Sequence, residues 1–276
     1  MMYDQDRSVK LEGLRTVSIH RPKKTGIQRS EDYVVREEPL EIRLSKHQSL
    51  SVQLAITMRT PGDDEDLIVG FLYSEGIIQS SEEITSISIQ GNIADVKLSD
   101  SSTFELSQVQ RRLLVSSSCG ICGKKDLNSL EYTSQRLPWS SKIVVDIDAL
   151  TQMSQIMKDH QELFSYTGGT HAAGLFSTKG QLINLKEDIG RHNALDKLIG
   201  SLLQQKIEED IICVSGRTSF ELVQKVAMYG ASILLSVGPA SHLAIQSAEE
   251  EGITLIGFLS DTTFNIYCGS QRIKMN

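Results

Sequence analysis

No apolar run in the chain approaches the roughly 20 residues that span a bilayer. The opening residues, MMYDQDRSVKLEG, lack the apolar stretch of a secretory signal. A cytoplasmic protein with no membrane contact is therefore expected. An excess of positive charge is also missing: 28 Lys and Arg stand against 35 Asp and Glu, a formal net charge of −7. Binding along nucleic acid depends on neutralising phosphates with Lys and Arg, so this balance argues against such a partner. It leaves room for a local basic pocket that holds one nucleotide. The chain has no Walker loop, no G-x-G-x-x-G fingerprint and no Ser-His-Asp signature. Only four cysteines occur, and a cytosolic setting argues against structural disulfides among them.

What is present is a chain of 276 residues, 39% hydrophobic and 23% charged. That suffices for one large domain, or for a small unit plus a medium one, with a substantial core. The first half is strand-rich. Val52, Leu54, Ile56 and Met58 alternate with polar residues, which predicts a strand with those four on its buried face. Short strands are expected over 87–89, 93–98 and 104–106, with Gly91-Asn92 as a turn, and a helix is expected from the acidic cluster at 63–66 to Ser74. The second half changes rhythm. A helix over 148–164 precedes strands at 172–177 and 181–186. Three strand–helix alternations follow to about residue 258, which predicts an α/β layered domain with a largely parallel sheet. The boundary falls near Leu137-Pro138-Trp139, giving units 1–137 and 138–276.

In α/β sheets, ligands bind beyond the carboxyl ends of the strands. Here those ends lead into Glu187-Asp188-Ile189-Gly190-Arg191-His192, Ser215-Gly216-Arg217-Thr218-Ser219, Gly238-Pro239-Ala240-Ser241-His242 and Leu259-Ser260-Asp261-Thr262-Thr263. Any one such loop is ordinary βα-turn chemistry. Together, with Arg191 and Arg217 beside helix starts, they predict a pocket for a phosphate-bearing ligand. Thr218-x-x-Glu221 fits a capping box.

Cys119 and Cys122 lie in Ser-Ser-Ser-Cys-Gly-Ile-Cys-Gly, followed by Lys124 and Lys125. A thiol beside two lysines gains thiolate character, and a second thiol three residues on can resolve or relay a persulfide. No second Cys-x-x-Cys and no His-x-x-x-His completes a zinc site, and the Ser/Gly-rich surroundings do not suit a thioredoxin pair. Spacing alone leaves sulfur or redox chemistry, a metal half-site and an incidental pair all open. Cys213, inside an apolar run, reads as a buried small hydrophobe. Among the histidines, His171 reads as a hydrogen-bonded turn residue and His160 as part of its helix's stripe. His192, four residues before Asp196, reads as an Asp-oriented residue.

Five segments in order resemble the FdhD family of formate dehydrogenase accessory proteins. They are Gly-Phe-Leu-Tyr-Ser-Glu-Gly-Ile-Ile from Gly70, the cysteine motif from Ser118, Thr-Gly-Gly-Thr-His-Ala-Ala from Thr167, Glu-Asp-Ile-Gly-Arg-His-Asn-Ala-Leu-Asp-Lys-Leu from Glu187, and Ser-Gly-Arg-Thr-Ser-Phe-Glu-Leu-Val-Gln-Lys from Ser215. The resemblance implies a sulfurtransferase that accepts persulfide sulfur from a cysteine desulfurase. It implies transfer to the molybdenum of a bis-(molybdopterin guanine dinucleotide) cofactor before insertion into formate dehydrogenase. It places the persulfide on Cys119, with Cys122 as its partner, and the cofactor against Phe258, Leu259, Ser260, Asp261, Thr262 and Thr263. It also implies a cytidine deaminase-like α/β/α layer with a smaller strand-rich α+β unit before it, no resident metal, and leaves homodimerisation open. The deaminase zinc motifs are absent: His171 is followed by Ala172-Ala173, and no proline precedes the cysteine pair. The rival reading is a non-enzymatic chaperone that holds the cofactor and uses the cysteines as a structural metal half-site.

Overall fold

A computed structural model describes residues 12–24, 26–46, 49–104 and 143–274. Strands β1 (Leu14–Lys23) and β2 (Gly26–Val35) form an antiparallel ribbon of their own. Next come β3 (Glu38–Lys46), β4 (Val52–Arg59), helix α1 (Asp64–Ser74), β5 (Ile84–Gln90) and β6 (Ile93–Leu98). Four of these strands make a sheet in the order β4-β3-β6-β5. Its inner face presents Leu40, Ile42, Leu44, Ala94, Val96 and Leu98, and α1 covers them with Leu67, Ile68 and Leu72. Gly91, at φ 59, takes the first position of the two-residue turn joining β5 to β6, where a side chain would be strained. Phe104 packs into this core without belonging to a strand, and 105–106 lie outside the described residues.

The expected face of β4 holds for only half its length. Ile42 pairs with Ala55 and Arg43 with Gln53, so Leu54 is an extra residue and both Leu54 and Ala55 turn inward. Beyond this bulge the alternation has flipped, as a one-residue slip requires. Ile56 and Met58 stand 58% and 48% exposed, while Arg59 points inward and grips both carboxylate oxygens of Asp64 at 2.9 and 2.8 Å.

The second unit begins with β7 (Val145–Asp146), α2 (Ile147–His160) and α3 (Glu162–Thr167). The single helix expected over 148–164 is thus broken at Gln161. The reason is Glu187, whose carboxylate accepts the backbone N–H groups of Leu163 and Phe164 and so starts a new helix. Then follow β8 (His171–Phe176), β9 (Leu182–Asp188), α4 (Arg191–Gln205), β10 (Ile211–Val214), α5 (Phe220–Tyr229), β11 (Ile233–Ser236), α6 (His242–Glu251), β12 (Thr254–Gly257), β13 (Asn265–Cys268) and β14 (Ile273–Lys274).

The sheet order is β13-β12-β11-β10-β8-β9. Only the β10/β11 and β11/β12 pairs are parallel, so the expected largely parallel sheet is in fact mixed. Helices supply crossovers only after β9, β10 and β11. The β8–β9 turn and the β12–β13 loop are too short to carry a strand back to a parallel start. Alternate strand residues face opposite layers. Ala173, Leu175, Ile212, Val214, Leu234 and Leu255 pack under α4, α5 and α6. Ile211, Cys213, Ile233, Leu235 and Ile256 pack against Leu150, Met153 and Met157 of α2. This is an α/β/α layering.

The units meet where α1 crosses α4. A Cβ on Gly70 would lie 1.8 Å from the carbonyl oxygen of Asp196, and one on Gly200 would lie 1.9 Å from that of Asp66. Only paired glycines let the two backbones touch. The boundary expected between 137 and 138 lies outside the described residues.

Candidate functional site

Strand β9 is antiparallel to β8, and β8 is antiparallel to β10. Consequently β9, β10, β11 and β12 all run the same way. Their carboxyl ends share one edge of the sheet, and the start of β8 joins them there. Main-chain bonds lace the loops together: Ser215 N–H donates to Ala172 O at 3.0 Å, Gly238 N–H to Gly216 O at 3.2 Å, and Phe258 N–H to Gly238 O at 3.1 Å. Helices α4, α5 and α6 all begin at this edge, and their first-turn N–H groups make it favourable to anions. The first turns of α4 and α6 carry no acidic residue.

Arg191 opens α4, half-buried, and among the described residues its buried Nε has no hydrogen-bond partner. Arg217 is exposed on the loop after β10. His171 lies near both and feels their charge. A Cβ on Gly216 would lie 3.1 Å from His171 Nδ1 and 3.7 Å from Arg191 Cδ, so the bare glycine makes room for both. Burial pushes the His171 imidazole below its usual range, and Arg191, Arg217 and His192 push it further. The buried Thr218 hydroxyl also has no partner among the described residues. Sequence reasoning missed His171 because nothing in its local motif shows that β8 runs against its neighbours.

His192 does not meet Asp196 as expected. Its Nε2 lies 3.0 Å from Glu221 Oε2 and 3.3 Å from Ser219 Oγ. The His192 contact holds the Glu221 carboxyl below its ordinary range. It also explains why the capping box fails: Glu221 faces α4, the N-cap of α5 is Ser219, and no side chain caps the helix. Asp196 is buried and holds Lys225 at 2.8 and 3.0 Å, with Ser74 at 3.0 Å. His160 is exposed at the end of α2, with Nδ1 2.8 Å from Ile156 O, and lies off its helix's buried stripe.

Asp188 organises the loop that carries Arg191. It is fully buried. One carboxylate oxygen accepts Thr60 N–H at 3.0 Å and pairs with Lys197 at 2.8 Å; the other accepts Gly190 N–H at 2.8 Å and the Asn193 amide at 3.2 Å. Asn193 in turn donates to Met58 O at 2.7 Å and accepts from Thr57 Oγ1 at 3.1 Å. The stretch of β4 beyond the bulge therefore braces the site.

Phe258, the residue after β12, is in the left-handed region, at φ 54, and is 49% exposed. A bulky residue held there stores about 1–3 kcal/mol of strain, a mark of functional positions. Leu259 is buried with the α2-side core, so its side chain does not face the edge. Ser260 Oγ accepts from Thr263 N–H at 3.0 Å and closes a tight loop that displays Asp261, Thr262 and Thr263 to solvent. His242, the first residue of α6, is exposed.

Cys119, Cys122, Lys124 and Lys125 lie outside the described residues. Cys213 is fully buried, as expected, and burial pushes its thiol up to about 12. Among the described residues no cluster of three or more His, Cys, Asp or Glu could hold a metal ion. Nor is any described helix long and apolar enough to cross a membrane.

Fold and site together define an α/β/α protein whose strand-end edge is cationic, aromatic at one corner and suited to an anion. Comparison with known proteins narrows the class. Residues 35–274 match the FdhD/NarQ family, and the chain belongs to it. The sulfur carrier protein FdhD of Sulfurisphaera tokodaii is 42% identical over 88% of this chain and 92% of its own. Its counterpart from Thermoplasma volcanium is 42% identical over 89% and 91%, and that of Streptomyces avermitilis 39% over 88% and 90%. A crystal structure from Desulfotalea psychrophila, provisionally assigned as a formate dehydrogenase accessory protein, shares the fold. Its TM-score is 0.73 at 22% identity, over 95% of this chain and 99% of that one.

Proposed function

We propose that this chain is a sulfur carrier that receives sulfane sulfur on Cys119 and delivers it to a molybdenum cofactor bearing guanine dinucleotides. The observation that carries the reading is the strand-end edge. Two guanidiniums without a carboxylate partner among the described residues, three converging helix starts and a strained, exposed phenylalanine suit an anionic ligand with a planar base.

The Cys119 thiolate attacks the terminal sulfur of a cysteine desulfurase persulfide. The S–S bond there breaks, the desulfurase leaves as a thiolate, and the sulfur stays on Cys119 without net redox change. Cys122 thiolate then attacks the Cys119 sulfur. Hydrosulfide leaves, and the pair becomes a disulfide, so the two electrons that reduce the sulfur come from the cysteines. The released sulfide is the form that molybdenum takes up. Arg191, Arg217 and the loop Phe258, Leu259, Ser260, Asp261, Thr262 and Thr263 hold the guanine nucleotide ends, with Leu259 contributing through its backbone alone. Formate dehydrogenase is the recipient of the finished cofactor, and the setting is cytoplasmic.

Intact-mass measurement after incubation with a cysteine desulfurase and cysteine tests the carrier step. Wild type should gain the mass of one sulfur, about 32 Da, and Cys119→Ala should not. A wild type that gains nothing, or a Cys119→Ala variant that gains as much, sinks the proposal.

A further inference from the structure

His171 has no part in the sulfur relay, yet it stands in the middle of the cationic edge. It opens β8, and its ring lies against the bare side of Gly216, whose absent Cβ would sit 3.1 Å from Nδ1 and 3.3 Å from Cε1. That same point is 3.7 Å from Arg191 Cδ, so imidazole and guanidinium stem share one small space. The charged and titratable groups facing it are Arg191 and His192 from α4, Arg217 from the loop after β10, and Asp188 from the end of β9. Two of these already have partners. His192 meets Glu221 at 3.0 Å, and Asp188 is tied to Lys197 at 2.8 Å. Neither Arg191 nor Arg217 forms an ion pair among the described residues, although the Glu221 carboxylate feels the Arg191 charge, and the Arg191 Nε has no hydrogen-bond partner there.

We propose that His171 contacts the ligand at this edge and takes up one proton when the diphosphate of a guanine nucleotide settles between Arg191 and Arg217. The proposal rests on the nucleotide reading of the edge given above. In the free protein, burial and the neighbouring cations keep the imidazole neutral near neutral pH. A bound diphosphate cancels the guanidinium fields and adds its own attraction, so the imidazolium becomes the favoured form. The proton comes from solvent, and the complex carries one more positive charge than its separated parts. Keeping His171 neutral spares the free protein repulsion with Arg191 and Arg217, and the bound state gains a third cationic donor. Affinity should rise as pH falls, by at most about tenfold per pH unit.

Titration calorimetry of the full chain with GDP-mannose, in PIPES and in Tris at about pH 7, reads this directly. A diphosphate diester does not ionise near neutral pH, so any proton exchanged belongs to the protein. Wild type should take up close to one proton per nucleotide bound. His171→Gln keeps a polar ring-sized group but cannot be protonated, and should take up almost none while still binding. Binding without proton uptake in wild type, or equal uptake in His171→Gln, overturns the role of His171 and leaves the nucleotide site standing. No binding of GDP-mannose at any pH overturns this proposal together with the nucleotide reading of the edge.

Discussion

Two regions along helix α4 gather charge, and they treat it in opposite ways. At the junction of α1, α4 and α5, Asp196 is 2% exposed and Lys225 8%, and the two are joined by contacts of 2.8 and 3.0 Å. Ser74 of α1 adds a third bond, so the pair ties the two units to the helix below the site. At the strand-end edge, a few residues away along the same helix, Arg191 and Arg217 act on His171 while forming no ion pair among the described residues. A buried charge that is paired specifies how elements sit. An exposed or half-buried charge outside any ion pair raises local potential and can attract an ion from outside. The same helix thus carries an internal clamp and a ligand site, separated only by which charges have partners.

The sharpest way to break that contrast is at the clamp. Removing one partner leaves the other as an uncompensated buried charge. Asp196→Ala should therefore cost about 3–5 kcal/mol in urea unfolding. Adding Lys225→Met to that variant should recover most of the loss, because the stranded ammonium is gone. A single variant that unfolds within about 1 kcal/mol of wild type would show that the junction does not depend on this pair.

At the edge, the corresponding truncation should spare stability and strike binding. Arg217 is exposed and bonds to nothing that the fold needs, so Arg217→Ala should leave unfolding within about 0.5 kcal/mol. Loss of a charged hydrogen bond worth about 1.5–3 kcal/mol should weaken guanine nucleotide binding by roughly ten- to a hundredfold. Unchanged affinity would remove Arg217 from the site.

Phe258 offers a smaller effect with two opposite signs. Glycine takes φ 54 without strain, so Phe258→Gly should stabilise the fold by about 1 kcal/mol in thermal or urea unfolding. The same change removes the aromatic face and should weaken nucleotide binding. A variant that is less stable and binds equally well would mean that the phenylalanine serves packing rather than ligand.

How much of this was legible in the sequence depends on the range of the contacts involved. Helices and strands of the second half follow from local periodicity, and the order of the strand-end loops follows from chain order alone. The direction of β8 does not, because it depends on two short connections that lack helices. That is why His171 was read as a turn residue. The β4 bulge is invisible for a similar reason: Leu54 and Ala55 look like successive strand positions until Ile42 and Arg43 are set opposite them. Charged residues misled most. Asp196 lies four residues after His192 on one helix, and local spacing joins them, but desolvation of both Asp196 and Lys225 makes the long-range pair the stable solution. The cysteine motif presents the reverse case. Its spacing alone leaves the chemistry open, the family resemblance assigns it, and the motif lies outside the described residues.

The finest test of the contrast is the pH dependence of stability, where the sign separates the two regions. His171 is pushed down by burial and by Arg191, Arg217 and His192 beside it, so the folded chain binds a proton there less readily than the unfolded one. The unfolded state then holds more protons, and stability rises with pH. For His171 this contribution is lost as pH falls through about 6.5, the ordinary histidine value. Glu187 and Asp196 are pushed up by burial, which gives the opposite slope from about pH 4 upward, and because His171→Gln leaves both carboxylates in place, the difference between variant and wild type isolates the histidine. Urea unfolding between about pH 5.5 and 7.5 should therefore show the stability of wild type relative to His171→Gln falling toward acid. Saturating GDP-mannose should shrink the difference, since bound diphosphate makes the folded protein the better proton acceptor at His171. Parallel pH curves for wild type and His171→Gln, with and without the nucleotide, would mean that the edge cations do not act on this histidine, and the contrast between clamp and ligand site would rest on Arg191 and Arg217 alone.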